Sequence, residues 1–145
     1  MQPIHATSDM LMADQYWGER TSYAYAPKTQ LDVGAHVAFG SDAPVESPNP
    51  FWGIHAAVTR RRADGSPGPQ GWHPEQCLSM QQAIEGFTTG AAYAAYTENR
   101  QGRLMPGTFA DLIVLEKDPF TADPAEVKDL QSSATMVGGD WVYEI

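Results

Sequence analysis

The residue best placed to do chemistry is Asp42, which follows the apolar run in the stretch HVAFGSDAPVE, residues 36–46. The apolar run predicts a buried strand, and a carboxylate just beyond such a strand lies where parallel sheets build their active sites. There it could ligate a divalent metal and accept the proton of a metal-bound water. The alternative is that Asp42 stabilises the turn from Ser41 to Pro44, and the Ser-Asp pair alone favours that turn.

His5 is the second candidate, because it ends the short alternating run MQPIH. A histidine at the end of a strand can bind a metal or a substrate oxygen, although a lone histidine more often has a structural role. His5 and Asp9 would share one face of a helix, but Pro3 and the Thr-Ser pair at 7–8 favour a loop. Of the other histidines, His55 is predicted to be packed in a helix and His73 to be exposed in a loop. His36 is predicted to point away from Asp42.

Composition and missing motifs exclude several classes of function. The 145 residues carry a net charge of −9, which argues against a nucleic-acid or anionic-membrane surface. The chain has one cysteine, Cys77, which argues against a disulfide within the chain. The one basic cluster, Arg60 to Arg62, is predicted to be the solvated end of a helix. No glycine-rich phosphate loop, Gly-x-Ser-x-Gly elbow or His-Glu-x-x-His helix occurs. No apolar run could span a bilayer and no secretory signal is present, so a cytoplasmic protein is expected.

The predicted elements are helices and a strand before Gly102 and mainly strands after it, an order typical of α/β proteins. Ser79 and Gln82 form a predicted capping box ahead of a helix that Gly86 and Gly90 could divide. A helix or irregular turn is predicted within DMLMADQYWGER, and helices are predicted between Pro27 and Gly34, in FWGIHAAVTRRR and in MQQAIEGFTTGAAYAAYTE. A loop is predicted over ADGSPGPQGWHPEQC, and strands at Ala110–Leu115 and on either side of Gly138-Gly139-Asp140.

Taken in order, four segments resemble the carboxy-terminal part of metal-dependent amidohydrolases, specifically amidohydrolase family 3. They are MQPIHATSD, LDVGAHVAFGSDAPVESPNPFWGIHAAVTRR, MQQAIEGFTTGAAYAAYTENRQGRLMPGTFADLIVLEKDPF and ATMVGGDWVYE. The resemblance implies an α/β fold, a (β/α)8 TIM barrel with a smaller composite β-sandwich built from both ends of the chain. MQPIH would be barrel strand seven and HVAFGSD strand eight. Residues 1–101 would then end the barrel domain, and residues 102–145 would be the last strands of the sandwich.

The same resemblance implies roles for both candidate residues. Asp42 matches the family's strand-eight aspartate, a metal ligand and the acceptor of the hydrolytic water's proton, and His5 would be a substrate-pocket residue. The family's His-x-His pair of strand one, its bridging residue of strand four and its histidines of strands five and six have no counterpart here. Because a complete barrel needs at least about 200 residues, we expect a carboxy-terminal fragment that holds roughly the last quarter of the barrel.

The expected function of the full-length parent is metal-dependent hydrolysis of C–N bonds in small-molecule amides, formamides or related compounds, with zinc as the expected divalent metal. One carboxylate cannot hold a catalytic metal without the histidines, so the fragment alone is expected to have little or no activity and to hold at most a sub-stoichiometric amount of metal. The alternative is a non-catalytic interaction module that completes a barrel with a separately encoded amino-terminal half. Strands cut from a barrel expose unpaired edges, so self-association is also expected. A third alternative is an independent small α/β binding domain.

Overall fold

The computed structural model describes residues 1–145, which form six α-helices, three 3₁₀ helices and one three-stranded sheet. The α-helices are α1 (His5–Ser8), α2 (Met10–Trp17), α3 (Pro27–Asp32), α4 (Pro50–Thr59), α5 (Met80–Phe87) and α6 (Thr89–Ala94). The strands are β1 (Leu112–Leu115), β2 (Ser132–Val137) and β3 (Asp140–Glu144), and the 3₁₀ helices cover Gly18–Tyr23, Pro74–Gln76 and Pro124–Asp129. Each predicted helix is present, and the mixed α/β content is confirmed. No helix combines the length and the apolar character needed to cross a bilayer.

The starts of α4 and α5 follow from their capping residues. The Asn49 side chain accepts a hydrogen bond from the Phe51 N–H at 3.0 Å, and Pro50 occupies the first helical position. Ser79 accepts from the Gln82 N–H at 3.1 Å while the Gln82 side chain accepts from the Ser79 N–H at 3.0 Å, which confirms the predicted capping box. Both caps satisfy N–H groups that have no partner within the first turn of a helix.

The predicted division of the last long helix is also confirmed, since α5 ends at Phe87 and α6 begins at Thr89. The two glycines on either side of the break are contacted by the segment that leads to Asp42. A Cβ atom on Gly86 would lie 2.2 Å from Phe39 Cδ2, and one on Gly90 would lie 2.3 Å from the Val37 carbonyl oxygen. Only glycine therefore allows this segment to pack so closely against the two helices.

The two strands predicted at MQPIH and HVAFG are wrong for this chain. Val37 and Phe39 are buried, as a strand would require, but neither segment belongs to the sheet. The Met1 amino group donates to the Ala38 carbonyl at 2.8 Å, and the Phe39 N–H donates to the Gly86 carbonyl at 2.9 Å. His5 begins α1 instead of ending a strand. A strand needs a ladder of bonds to a neighbouring backbone, and these isolated bonds do not make one.

The strands predicted after Gly102 are confirmed. β2 lies between β1 and β3, and both pairings are antiparallel. Gly138 and Gly139 connect β2 to β3 with φ values of +61° and +93°, the positive values that a two-residue type I′ hairpin requires. Large side chains on the sheet stay exposed, among them Trp141 and Val142. The sheet thus carries apolar surface that no other part of the chain covers.

Two groups of buried apolar side chains position the elements around Asp42 and His5. The larger group fixes the backbone just before Asp42 and consists of Val37, Phe39, Phe51, Ile54, Ala57, Leu78, Ala83, Val127 and Leu130. The smaller group fixes the helices that follow Ile4 and consists of Ala6, Met10, Ala13, Ala24 and Trp72. The larger group thus positions the backbone that leads to Asp42, and the smaller group positions the helix that carries His5.

Candidate active site

His5 and Asp42, the two candidates predicted from the sequence, lie side by side. His5 Nε2 is 3.1 Å from Asp42 Oδ2, within hydrogen-bond and ion-pair distance. The Gln2 amide donates to the other carboxylate oxygen, Oδ1, at 3.5 Å. The side chains of His5 and Asp42 keep 28% and 30% of their surface exposed, so a small molecule can reach both. The pair can therefore accept and hold a proton at a position open to solvent.

Asp42 is held in an uncommon backbone conformation. Its φ is +65°, in the left-handed region, which aspartate tolerates better than most residues. The Asp42 carbonyl accepts from the N–H groups of Val45 and Glu46 at 2.9 and 3.1 Å, which closes the turn that the sequence also predicted. The turn and the chemical interpretation are thus compatible, because the same turn presents the carboxylate to His5. Strained residues of this kind are common at functional sites.

His5 is presented by α1, although a loop was predicted here. That prediction is wrong because Ala6 and Met10, four residues apart, are both buried in the smaller core group, a spacing that favours a helix. The hydroxyl of Thr7, a residue expected to favour a loop, instead donates to the Ile4 carbonyl at 2.8 Å within the helix. Packing of one helix face therefore outweighs the local preference for a loop and fixes the direction of His5.

Tyr25 and Gln2 are further members of the site that were not among the predicted site residues, since packing was favoured for the tyrosines near Tyr23. The Tyr25 ring meets the His5 ring edge to face, with 6.1 Å between centroids and 71° between planes. Its hydroxyl donates to Asp9 Oδ2 at 2.7 Å. Burial, the hydrogen bond to Asp9 and the charge of that carboxylate raise the pKa of Tyr25 to about 12, so the phenol stays protonated at neutral pH. Its signal in the sequence is the tyrosine-rich run TSYAYA, residues 21–26.

Arg60 contradicts the prediction that its basic cluster is a solvated helix end. The residue is 1% exposed, and it donates from Nε to the Trp72 carbonyl at 2.8 Å and from Nη1 to the Tyr25 carbonyl at 2.6 Å. Its guanidinium carbon lies 5.1 Å from the centre of the Trp72 ring. Nη2 is buried without a partner, and burial lowers the pKa of the side chain. Arg60 therefore ties the end of α4 to the backbone of Tyr25.

His55 is packed within α4, as predicted. It is buried, and its Nε2 lies 3.4 Å from Thr59 Oγ1. Burial, together with the positive charges of Lys128 and Arg61, lowers the pKa of His55 to about 4, so the ring is neutral at pH 7. This histidine is a structural residue of the larger core.

The last two histidines also lie outside the site. His36 stacks on the Tyr93 ring with 4.1 Å between centroids, in agreement with its predicted direction away from Asp42. The prediction that His73 is exposed is wrong, since it is half-buried and its Nε2 lies 3.1 Å from Thr21 Oγ1. Its neighbour Trp72 is buried in the smaller core group and holds this part of the loop against the protein.

The residues of this chain do not by themselves fit a catalytic metal centre. No group of three or more His, Cys, Asp or Glu side chains lies close enough together to hold a metal ion. Asp42 and His5 offer one carboxylate and one imidazole, whereas a catalytic zinc takes three protein ligands. What the pair does supply is a carboxylate base beside a polar ring nitrogen, both accessible to a small molecule.

The fold of this chain is found in metal-dependent hydrolases. It superposes on the crystal structure of an uncharacterized metal-dependent hydrolase from Pyrococcus horikoshii OT3 with a TM-score of 0.73 and 28% identity, over 86% of this chain and 25% of that one. An uncharacterized metal-dependent hydrolase from Pyrococcus furiosus gives a TM-score of 0.67 and 29% identity, over 83% of this chain and 23% of that one.

Residues 1–143 match the amidohydrolase family model Amidohydro_3. The chain therefore belongs to this family, and the predicted resemblance to amidohydrolase family 3 is confirmed. It is 37% identical over 145 residues to the putative amidohydrolase YtcJ of Bacillus subtilis (strain 168), and the matched region covers 99% of this chain and 27% of that protein. It is 29% identical over 117 residues to the N-substituted formamide deformylase of Arthrobacter pascens, and the matched region covers 81% of this chain and 21% of that protein. The chain spans about a quarter of the length of these relatives.

Proposed function

We propose that the complete protein containing this chain is a metal-dependent hydrolase of C–N bonds in small-molecule amides, formamides or related compounds. The observation that carries the proposal is the His5–Asp42 pair, 3.1 Å apart and open to solvent. Membership of the amidohydrolase family supports it, as does the similarity to a protein named N-substituted formamide deformylase. In this proposal Asp42 is a metal ligand and the proton acceptor, and His5 contacts the substrate.

Hydrolysis of an amide needs a base for the attacking water and a proton for the departing amine. Asp42 can accept the proton that water loses as its oxygen bonds to the carbonyl carbon, and can return it to the nitrogen as the C–N bond breaks. Gln2, by donating to Oδ1, keeps the carboxylate turned so that Oδ2 faces His5. His5 Nε2, when it carries a proton, donates it to Asp42 Oδ2 across 3.1 Å, and it can donate to the substrate carbonyl oxygen in exchange for that contact. The products are a carboxylic acid and an amine, so one water is consumed for each bond broken.

A divalent metal, with zinc expected, would need ligands besides Asp42, since no group of three potential ligands occurs in this chain. We propose that residues 1–101 form the end of a (β/α)8 barrel and that residues 102–145 form the last strands of a composite β-sandwich. The bond from the Met1 amino group to the Ala38 carbonyl supports this arrangement, because it joins the two segments predicted as strands seven and eight. Neighbouring strands elsewhere in the protein would complete their ladders.

The test is hydrolysis of N-substituted formamides and amides by the complete protein, with Asp42→Asn as the decisive variant. Loss of the base should lower kcat by on the order of 100- to 10,000-fold. Asp64→Asn, in an exposed loop, is the matched control and should leave kcat unchanged. Elemental analysis of each variant separates loss of the metal from loss of the base. A kcat within about threefold of the unsubstituted protein in Asp42→Asn would contradict the assignment.

The second candidate is a non-catalytic module that completes a barrel with a separately encoded amino-terminal half. The lack of a metal-ligand group and the exposed apolar side chains of the sheet, such as Trp141 and Val142, favour it. Size-exclusion chromatography of the chain mixed with such a half distinguishes the candidates. A joint peak supports the module, and two independent peaks remove it.

A further inference from the structure

A cavity of about 300 Å³ lies next to the His5–Asp42 pair without including either residue. Its lining comes from the end of α1, from α2 and from the loop after it, and consists of Asp9, Met12, Ala13, Tyr16, Trp17 and Tyr25. Tyr25 belongs to both places, since its ring meets that of His5 at 6.1 Å and also lines the cavity. A group held in the cavity would therefore be one aromatic side chain away from the proposed reacting pair.

The large apolar side chains of the cavity are exposed. Met12, Tyr16 and Trp17 keep 59%, 68% and 46% of their surface accessible, while Met10 and Ala13 on the same helix are buried. Single exposed apolar side chains are ordinary, but a contiguous set of them beside a site indicates a place where something binds.

One aromatic wall of the cavity, Tyr25, is held in place by the rest of the fold. The rings of Trp17 and Tyr25 are stacked, with 6.4 Å between centroids and 25° between planes. Tyr25 is fixed at its carbonyl by Arg60 at 2.6 Å and at its hydroxyl by Asp9 at 2.7 Å. Tyr25 is thus held in position before a ligand binds, which lowers the entropic cost of binding against it.

The charge of the cavity selects the kind of ligand. Asp9 accepts from Tyr25 at Oδ2, but its Oδ1 accepts no hydrogen bond from the chain. No lysine, arginine or histidine lines this cavity, and the nearby Arg20 lines a separate one with Trp17 and Tyr23. A carboxylate next to the electron-rich faces of aromatic rings attracts a cation and disfavours an anion.

We propose that this cavity binds an organic cation, an alkylated ammonium group, and that this group is a substituent of the substrate. The rings and the Met12 thioether offer an apolar surface for the alkyl groups, and Asp9 offers the opposite charge. The second half of this inference rests on the proposed hydrolase function, whereas the cation site itself does not.

The cation site is tested by isothermal titration calorimetry of the complete protein with tetramethylammonium, and with tert-butanol as a neutral molecule of similar shape. Tetramethylammonium should bind more tightly than tert-butanol. Asp9→Asn keeps an oxygen acceptor for Tyr25 but removes the charge, and Trp17→Leu removes a ring; each should weaken tetramethylammonium binding by on the order of 2- to 30-fold. The matched control is Trp52→Leu, a similarly exposed tryptophan on α4 that does not line the cavity, and it should change nothing. Equal binding of the two molecules, or tetramethylammonium binding unaffected by Asp9→Asn and Trp17→Leu, would overturn the proposal.

The substrate half is tested with two amides that differ only in a trimethylammonium or a tert-butyl end. The cationic amide should have the lower KM, and Trp17→Leu should remove that difference with little change in kcat. If tetramethylammonium binds and neither amide is hydrolysed, the cation site stands and the proposed hydrolase function fails. If both amides are hydrolysed with equal KM and tetramethylammonium does not bind, the hydrolase function stands and this inference is overturned.

Discussion

Replacing Arg60 by methionine is expected to loosen the loop that carries Trp72 and the backbone of Tyr25. Methionine keeps much of the apolar bulk and would occupy the same left-handed backbone position, φ +52°, so the comparison isolates the guanidinium. The substitution removes the donors to the Trp72 carbonyl at 2.8 Å and to the Tyr25 carbonyl at 2.6 Å. It also removes the cation beside the Trp72 ring.

The size of the effect follows from opposing contributions. Each lost hydrogen bond from a charged donor costs about 1.5–3 kcal/mol, and the buried contact with the Trp72 ring adds about 0.5–2 kcal/mol. The substitution also removes the buried, unpartnered Nη2 of Arg60, and this removal stabilises the loop by about 1–3 kcal/mol. The net loss is about 3 kcal/mol of local stability, which corresponds to roughly a hundredfold increase in the population of the opened loop.

Hydrogen–deuterium exchange of the complete protein measures this opening where it occurs. The Trp72 N–H donates to the Arg60 carbonyl at 2.9 Å, so its exchange reports on the loop. We expect exchange at Trp72 to be about a hundredfold faster in Arg60→Met, and changed by less than about threefold in Arg62→Met, from the same basic cluster. An increase below about threefold in Arg60→Met would refute the reasoning, since the buried guanidinium would then contribute nothing to the loop.

Three further predictions concern the core, the approach to Asp42 and the isolated chain. The pKa of His55 is about 4 in the folded protein against 6.5 ordinarily, so the unfolded state takes up a proton first as pH falls. Stability should therefore decline by about 3 kcal/mol between about pH 6.5 and pH 4, and an unfolding profile that His55→Gln does not flatten would contradict this. Gly90→Ala would set a methyl group 2.3 Å from the Val37 carbonyl oxygen, and should cost about 1–3 kcal/mol of unfolding free energy, with Gly40→Ala as the unhindered control. The 145-residue chain alone should sediment as more than a monomer and show no amide hydrolysis; a monodisperse monomer with a cooperative melt, or turnover abolished by Asp42→Asn, would overturn those expectations.

The helices and the hairpin could be predicted because their signals are local. A capping box at Ser79 and Gln82, or two glycines at a hairpin, fixes the backbone within a few residues whatever the rest of the chain does. The absence of strands at MQPIH and HVAFG could not be predicted in the same way, because a strand forms only against another backbone. Their burial pattern was recognisable in Val37 and Phe39, but the partners that make a ladder are not encoded next to them.

The site was predictable in part for a similar reason. Asp42 and His5 were identified from the order of segments that resembles the amidohydrolase family, since spacing alone favoured a turn and a structural histidine. Three consecutive arginines suggested a solvated helix end, and nothing local distinguishes Arg60 from its neighbours. Its burial depends on Trp72 and Tyr25, which are 12 and 35 residues away along the chain.

Tyr25 connects the stability of the fold to both proposed binding positions. Its carbonyl is held by Arg60, its hydroxyl by Asp9, and its ring lies between His5 and the aromatic cavity. Arg60→Met releases the backbone and should therefore disturb the contact with His5 and the cavity together. Asp9→Asn leaves the backbone bond intact and changes the charge of the cavity alone. If Tyr25 positions both His5 and the cavity, Arg60→Met lowers kcat and weakens tetramethylammonium binding, whereas Asp9→Asn weakens only the binding. Equal effects of the two variants on kcat would show that the position of Tyr25 and the charge of Asp9 are not separable.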